Sequence, residues 1–475
     1  MFQSTIVAGF SLFLFHFTCS SQNISVQLDN AIQKMYEDGQ FKHAVISLYV
    51  IDSKTAKLVY DKNSQLGLAA ASCQKVITGI SAFELLGKDF QFRTYIDHDQ
   101  KINNGSLEGN LYVTGGGDPT TGSDRWTSTS ETSVLKKILN ILQKNNIHSV
   151  KGDLVCNDAN FTSDPLPRGW IWEDIGNYYG AGAWGFNWRE NQFDVTFKTG
   201  KLQGDITEII STKPSSLLQD YTFANFVTTG AKGSGDNGYL FSSPFQKNII
   251  ARGTVPMTES GFTISGAMPD PPTTFVKRLK EYLKESRVAV SGNAWSQSEH
   301  IINNQSTKMH TIRLDSILSP TLDSINYWFL KKSVNLYGEA LVKMLAYKED
   351  HPTSTDAGIT TIKQFWSKQG IEKSALGIID GSGLSPGNRI TTEALVTVMQ
   401  YAKGRNWFTS FYNALPETNK IKMKDGYING VRSYTGYVKS RSGAEYTFAF
   451  IVNNFDGSAG TVREKMWKIL DLLKN

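Results

Sequence analysis

The sequence predicts an α/β fold, because both ends of the chain have strand patterns that suit an antiparallel sheet and the tail has the pattern of a covering helix. Near the start, Ala44–Ile51 and Lys57–Tyr60 have the apolar character of strands and are joined by a polar turn. Near the end, Ser433–Lys439 and Glu445–Asn453 alternate as the strands of a hairpin do. Apolar residues then recur with a helical period over Thr461–Leu473. If these segments share a sheet, the domain they form is discontinuous in sequence.

Length and composition indicate a globular protein of more than one domain. A chain of 475 residues exceeds one ordinary core and suggests two to three domains. Hydrophobic residues make up 40% and charged residues 20% of the chain, as is typical of folded proteins. The net charge of +5 is spread along the chain without a basic run, so nucleic acid is not an expected partner.

The N-terminus has the pattern of an export signal. Residues 6–17 are apolar and are followed by small residues, whereas a transmembrane helix needs about 20 apolar residues. We therefore expect a signal peptide over residues 1–22 and an exported, periplasmic protein, although the segment lacks Lys and Arg. Cys19 offers lipid attachment, and so peripheral membrane association, as a second outcome. Thr18 departs from the Gly, Ala or Ser usual before a lipidated cysteine, which favours ordinary cleavage.

Ser72 and Lys75 form a candidate pair of nucleophile and base. A serine hydroxyl needs a nearby group to take its proton, and a lysine serves when burial or a second cation lowers its pKa. Positions i and i+3 share a helix face, so the two side chains can touch. Ser133 and Lys136 repeat the spacing, but in a stretch that has the pattern of an amphipathic helix with solvated lysines. Ser72 instead follows three alanines and opens an apolar stretch, which suits the start of a buried helix.

Other kinds of chemistry are less well supported. Cys73 lies at i+1 and points away from the face shared by its neighbours Ser72 and Lys75, so we interpret it as a small packed residue. The seven histidines lack the spacing of a metal site, and we expect no metal or cofactor. A Ser-His-Asp triad is not excluded by spacing, because its members can be distant in sequence. Gly115–Asp118 lacks the ending of a phosphate loop and is interpreted as a tight turn after a strand.

Six strings along the chain carry more specific information than composition does. They are Ala71–Lys75 with the preceding Tyr60, Phe90–Thr94, Val113–Thr120, Gly169–Asp174, Lys331–Glu339 and Asp380–Arg389. In content and order they resemble the D-alanyl-D-alanine carboxypeptidase/endopeptidase family, the class C low-molecular-mass penicillin-binding proteins. The resemblance runs over nearly the whole mature chain and distinguishes Ser333-Val334-Asn335 from the other Ser-x-Asn copies.

The resemblance implies a serine DD-peptidase and a role for each motif residue. Ser72 would attack the carbonyl of a D-Ala-D-Ala peptide bond, with Lys75 as its base. Ser333 would pass a proton toward the leaving amine, and Asn335 would hold the acyl side-chain amide. Lys424, in the third family motif, would lower the pKa of the base and attract an anionic substrate group.

The substrate-binding residues implied by the resemblance include two departures from the family pattern. Asp174 occupies the position that contacts the free amine of a diamino acid side chain. The third motif, usually Lys-Thr-Gly, has Asp425 before Gly426, and Tyr427 stands where threonine is common. The backbone N–H groups of Tyr427 and of the nucleophile are candidates for the oxyanion hole. In the family, the threonine hydroxyls usual at these two positions bind the terminal carboxylate of the substrate. Asp425 would repel that carboxylate, and Arg432 could compensate by pairing with it.

The resemblance also implies a penicillin-binding, β-lactamase-like transpeptidase domain with nested insertions. Residues 23–90 and 305–475 would be the catalytic domain, 91–189 and 265–304 a first inserted domain, and 190–264 a second, small β domain. Peptidoglycan peptides would be the substrates and β-lactams covalent inhibitors. Two alternatives stay open: a non-catalytic peptide-binding relic, which the altered third motif allows, and a β-lactamase or esterase, against which the long insertions argue.

Overall fold

The computed structural model describes residues 15–161, 164–258, 260–305, 310–349 and 353–475, with backbone alone for residues 15–23. Residues 1–14 of the expected signal peptide and the Cys19 side chain therefore lie outside the described part. The chain divides into two compact units. The first comprises the residues up to 77 with 366–378 and 387–475, and the second comprises 78–365 with 379–386. The domain boundaries given above stay a prediction.

Both ends of the chain contribute to one antiparallel sheet in the first unit. Val50 pairs with Phe448, and Val431 pairs with Asn453, so the first strands of the chain lie beside its last ones. This arrangement confirms the predicted fold class, an antiparallel sheet with helices. In spatial order the strands are Leu58–Lys62, Val45–Asp52, Glu445–Asn453, Val431–Lys439, Ile421–Ile428 and Glu417–Thr418.

Helices cover both faces of this sheet. Phe15–Glu37 and the terminal helix Ala459–Leu470, which continues as the 3-10 turn Asp471–Lys474, bury apolar side chains against one face. Those side chains recur every three or four residues, the spacing of one helix face. Thr392–Lys403 packs against the strands Val45–Asp52 and Glu445–Asn453. The buried apolar residues contributed by the first and last helices are Ile24, Leu28, Ile32, Met35, Val462, Met466, Ile469 and Leu470.

The second unit contains a mixed five-stranded sheet. Its order is Ala294–Ser296, Leu154–Asn157, Leu111–Thr114, Arg93–His98 and Ile312–Leu318. Helices Glu131–Lys144 and Pro271–Glu285 share its apolar core. A smaller sheet joins Ala289–Val290, Ser149–Val150, Ser106–Leu107 and Ile102–Asn103.

Helix Pro271–Glu285 begins at a buried carboxylate. Asp270 accepts a hydrogen bond from the backbone N–H of Thr273 at 3.0 Å, the usual contact of an N-cap. Burial raises the pKa of Asp270 to about 7, against the opposing effect of its hydrogen bonds to Thr273.

Residues 192–267 form strands with one short helix, Leu217–Asp220, in the part that the structure describes. One sheet joins Glu208–Lys213, Gln192–Lys198 and Phe262–Ala267. The other is built around Asn248–Pro256, which pairs with Thr222–Asn225, Thr228–Gly230 and Asn237–Phe241.

Four of the other helices in the described residues contain or adjoin candidate site residues: Lys75–Leu86, Trp172–Ile175, Leu322–Lys331 and Asn335–Lys348. Three more are Gln297–Ile302, Thr355–Lys368 and Phe408–Ala414, and the short strands Leu376–Gly377 and Arg389–Ile390 pair with each other. Over the described ranges, no helix has the combination of length and apolar character that a bilayer crossing requires.

Candidate active site

The proposed nucleophile and its lysine are in contact in the first unit. Ser72 lies in a 3-10 turn, Ala71–Gln74, and the α-helix begins at Lys75, so the serine precedes the helix rather than opening it. In a 3-10 turn residues i and i+3 eclipse each other, which suits the contact better than an α-helix does. Lys75 is fully buried, and its Nζ donates to Ser72 Oγ at 2.8 Å.

The backbone next to Ser72 is strained. Ala71 has a φ of 44°, in the left-handed region that favours glycine. Such conformations cost about 1–3 kcal/mol and persist where the surroundings enforce them, often at functional sites. Ser433 supplies part of that enforcement, because its Oγ donates to the carbonyl of Ala70 at 2.6 Å. Ser433 belongs to no motif, so the sequence does not predict this contact.

The third motif lies on the strand that runs past this turn. A Cβ atom on Gly426 would lie 2.9 Å from Ser72 N, 2.6 Å from Ala70 O and 2.3 Å from Ser433 Oγ. The position therefore requires glycine, and the absence of a side chain brings the strand against the nucleophile turn. Tyr427, whose N–H is an oxyanion-hole candidate, follows directly and is 54% exposed.

Lys424 and Asp425 form an ion pair within the motif. Lys424 is buried, and its Nζ lies 3.2 Å from Asp425 Oδ1 and 2.8 Å from the Asp425 carbonyl oxygen. Burial acts to raise the pKa of Asp425, but Lys424 and Arg432 outweigh it and hold that pKa below its ordinary value. The guanidinium carbon of Arg432 lies 5.5 Å from the ring centre of Tyr427, the residue opposite it in the strand pairing. The ammonium group of Lys424 thus already has an anionic partner, the carboxylate of Asp425.

Cys73 is a packed residue, as the sequence predicts. It is fully buried, and its Sγ lies 3.2 Å from the carbonyl oxygen of Lys424. Burial raises the pKa of the Cys73 thiol to about 12, which leaves it protonated at neutral pH. The competing serine, Ser133, donates its Oγ to Thr127 O at 2.6 Å, and Lys136 is exposed, as expected of a surface helix.

Ser333 and Asn335 lie in the second unit, at the start of helix Asn335–Lys348. Ser333 stands in the break after helix Leu322–Lys331 and has a φ of 57°. It is a second non-glycine residue in the left-handed region at a predicted site. Asn335 Nδ2 donates to the carbonyl of Tyr179 at 2.7 Å.

Tyr179 lies beside two predicted site residues in this unit. Its backbone carbonyl accepts from Asn335 Nδ2. Burial raises the pKa of Asp174, and the neighbouring Tyr179 side chain opposes that rise. Tyr179 is not predicted from the sequence; the one available signal is its place five residues after Asp174 beside a second tyrosine, Tyr178.

Two of the resembling strings hold each other in place in this unit. Trp170 Nε1 donates to Asp380 Oδ2 at 2.9 Å, and Ser385 Oγ donates to the carbonyl of Gly169 at 2.8 Å. Ser385 stands in Gly383–Gly387, which has the Gly-x-Ser-x-Gly spacing of a nucleophile elbow. Because Ser385 is buried and its hydroxyl is committed to Gly169, it serves the loop rather than catalysis.

The first unit thus brings together the serine-lysine pair, the third motif and Arg432, and the second unit holds the remaining predicted residues. A sequence model of the D-Ala-D-Ala carboxypeptidase 3 (S13) family matches residues 28–473. The chain belongs to this family. The assignment confirms the resemblance, and the catalytic role of each residue stays a prediction.

Similar S13-type proteins cover most of the chain. A D-alanyl-D-alanine carboxypeptidase from Actinomadura sp. (strain R39) is 25% identical over 468 residues, covering 91% of this chain and 82% of that protein. The D-alanyl-D-alanine carboxypeptidase DacB of Haemophilus influenzae is 24% identical over 435 residues, covering 86% and 85%.

Solved structures share the fold of this S13 family member. The crystal structure of penicillin binding protein 4 (dacB) from Haemophilus influenzae superposes with a TM-score of 0.78 at 21% identity, covering 94% of this chain and 99% of that one. The same protein complexed with a novel β-lactam gives a TM-score of 0.73 at 20% identity, with 94% and 100% covered.

Proposed function

We propose that this protein is a serine-type D-Ala-D-Ala carboxypeptidase and endopeptidase that acts on peptidoglycan stem peptides through an acyl-enzyme on Ser72. The observation that carries the proposal is the hydrogen bond between the buried Lys75 amine and Ser72 Oγ, within a chain of the S13 family. The side chains are already at the distance over which a serine proton is transferred.

Acylation follows from the chemistry of these groups. Lys75, in its neutral form, takes the Ser72 proton as Oγ attacks the carbonyl carbon of the substrate. The N–H groups of Ser72 and Tyr427 stabilise the oxyanion, where one donor is typically worth a few kcal/mol. The C–N bond then breaks, the proton that Lys75 took passes through Ser333 to the leaving amine, and the Ser72 ester remains with Lys75 neutral again. Water attacks that ester as Lys75 takes a proton from the water, and Lys75 returns this proton to Ser72 Oγ when the ester C–O bond breaks and the acid is released.

Substrate selection is assigned to the other predicted residues. Asn335 holds the acyl side-chain amide, and the carboxylate of Asp174 has the charge needed to bind a free amine at the end of the stem peptide. Arg432 is the candidate to bind a substrate carboxylate. We further propose that the protein is exported to the periplasm and that β-lactams acylate the same serine.

Covalent labelling tests this function. Incubation with a penicillin followed by intact-mass measurement should show one adduct per chain, because a strained β-lactam amide meets the same nucleophile. The adduct should be absent in Ser72→Ala and retained in Ser133→Ala, the matched control that alters the other Ser-x-x-Lys copy.

Each alternative has its own outcome in this experiment. An adduct that survives Ser72→Ala would refute the assignment of the nucleophile. No adduct on the folded wild-type protein would indicate a peptide-binding relic. Rapid release of the label with hydrolysis of the penicillin would indicate a β-lactamase.

A further inference from the structure

We infer that Glu190 is a positioning residue that acts through Tyr337 to hold Asn335 in place for catalysis. The inference rests on the proposed function. It concerns residues of the second unit and a carboxylate outside the six strings that carry the resemblance.

Glu190 is the centre of a buried hydrogen-bond network. Its Oε1 accepts from Ser123 Oγ at 2.7 Å, from Arg125 Nε at 2.7 Å and from the Tyr337 hydroxyl at 2.6 Å. Its Oε2 accepts from Arg125 Nη2 at 3.1 Å. Glu190 is 7% exposed and Tyr337 is fully buried, so the bond between them is shielded from water, whereas the Arg125 side chain is 27% exposed. The carboxylate therefore fixes the Tyr337 hydroxyl in one place.

The backbone around Glu190 is held in an unfavourable conformation. Arg189, Glu190 and Asn191 have φ values of 55°, 55° and 53°, three consecutive non-glycine residues in the left-handed region. Each such residue costs roughly 1–2 kcal/mol. Strain of this kind persists only where the surroundings enforce it, and it is a reason to look for function.

Specific contacts enforce that conformation. Arg189 N donates to Thr121 O at 2.9 Å, and Arg189 Nη1 donates to Glu131 Oε2 at 2.8 Å. Asn191 Oδ1 accepts from Trp188 N at 2.9 Å, and Asn191 Nδ2 donates to Gly182 O at 2.8 Å. With both neighbours fixed, the side chain between them points at Tyr337.

The hydrogen bonds of Glu190 reach the helix turn that carries Asn335, a predicted site residue. Tyr337 lies two positions after Asn335, in the first turn of helix Asn335–Lys348. That turn is held at one point by Asn335 Nδ2 on the Tyr179 carbonyl and at a second by the Tyr337 hydroxyl on Glu190. Two hydrogen bonds in one turn restrict the rotation of the helix start more than either bond alone does. Catalytic groups misplaced by about 1 Å can lose 10²-fold in rate, so the second point matters for Asn335 and for Ser333 before it.

The chain offers a matched control. Asp97 is also a buried carboxylate of the second unit that accepts from an arginine and a hydroxyl, Arg313 Nε at 2.5 Å and Thr114 Oγ1 at 3.0 Å. It lies on strand Arg93–His98, and its hydrogen-bond partners Arg313 and Thr114 are not residues of helix Asn335–Lys348. Asp97→Asn therefore weakens a comparable ion pair without touching the helix start.

The experiment compares Glu190→Gln, Tyr337→Phe, the double variant and Asp97→Asn with wild type. Melting temperature, the acylation rate with a fluorescent penicillin, and kcat and KM for a D-Ala-D-Ala peptide are measured for each. We expect Glu190→Gln and Tyr337→Phe to lower the acylation rate and kcat by about 10- to 100-fold with KM changed little. Because the two residues act through one bond, the double variant should be no slower than the slower single variant. Asp97→Asn should lower the melting temperature but change acylation less than about 2-fold.

Several outcomes would overturn the inference. Wild-type acylation in Tyr337→Phe, which keeps the ring and removes the hydroxyl alone, would do so even if Glu190→Gln fails to fold. Losses that multiply in the double variant would show that the two residues act separately. An equal acylation loss in Asp97→Asn would assign the effect to stability. A wild-type protein that is not acylated on Ser72 would instead overturn the proposed function, and this inference with it.

Discussion

Replacing Asp425 by threonine is expected to change which peptide bond the enzyme prefers. Asp425 lies 3.2 Å from Lys424 Nζ, and its pKa is held low by that lysine and by Arg432 against the effect of burial, so the residue is a carboxylate at neutral pH. A substrate with a free C-terminal D-Ala brings a second carboxylate toward the same cation. A cross-linked peptide is cut at an internal amide bond. Its remaining carboxylate is therefore placed differently relative to the Lys424 cation.

The size of the effect follows from Coulomb's law. Two carboxylates that share one ammonium lie roughly 5 Å apart, and their repulsion at an effective dielectric constant near 20 is about 3 kcal/mol. The Asp425 side chain is 41% exposed, so solvent screening reduces the repulsion to roughly 1–2 kcal/mol. Asp425→Thr should therefore raise kcat/KM for the free pentapeptide by about 5- to 30-fold.

The assay uses purified muropeptides. Cross-linked dimers and uncross-linked pentapeptides are digested by wild type and by Asp425→Thr, and the ratio of the two kcat/KM values is compared. Asp425→Asn is the matched variant, because it removes the charge without adding a hydroxyl, and it should shift the ratio in the same direction. A pentapeptide with an amidated C-terminus should respond little to either change. We expect the wild type to cut cross-links at least as well as it removes terminal D-Ala.

One result would refute this reasoning. A strong wild-type preference for the free pentapeptide that is unchanged in Asp425→Thr would show that the repulsion is absent. Arg432, close enough to lower the pKa of Asp425, would then be the group that neutralises the site.

Three further predictions follow from the described geometry. Lys75→Ala and Lys424→Ala should each reduce penicillin acylation by about 10²-fold or more, whereas Cys73→Ala should leave it nearly unchanged, as gel labelling would show. Gly426→Ala should lower both the acylation rate and the melting temperature, because the added methyl would overlap Ser433 Oγ, Ala70 O and Ser72 N; a fully active variant would contradict the close contact. The pKa of Asp270 is raised to about 7 in the folded protein, above its unfolded value, so wild type loses stability as pH rises from about 4 to 7. Asp270→Asn should therefore have a higher melting temperature than wild type between about pH 5 and pH 8. A lower melting temperature over that range would show that Asp270 is not buried as described.

The strands and helices near the two ends of the chain are predicted well because each of them depends on a local sequence pattern. The strand Glu445–Asn453 has the predicted bounds, and the strands near residues 45–62 start or end within one or two residues of their predicted positions. Alternation and helical period report directly on which residues are buried. The serine-lysine contact is likewise local, because three positions of separation suffice to bring Ser72 and Lys75 together.

The supporting residues could not be predicted because their roles depend on tertiary contacts between distant segments. Ser433 reaches Ala70, and Glu190 reaches Tyr337, across separations of 363 and 147 residues. Tyr179 accepts from Asn335 through its backbone carbonyl, 156 residues earlier in the chain. A lone serine, glutamate or tyrosine has no periodicity or spacing that would indicate such a partner.

The pairing of the first strands with the last ones has a consequence for biosynthesis. Leu48 and Phe450 are neighbours in the sheet although they lie about 400 residues apart in the chain. Gly426 and Ser433, which shape the turn at Ser72, also come from the last part to be synthesised. A nascent or C-terminally truncated chain therefore contains the nucleophile without the strands that organise it. An incomplete copy therefore lacks the contacts from Gly426 and Ser433 that hold the backbone at Ser72, the residue proposed as the nucleophile.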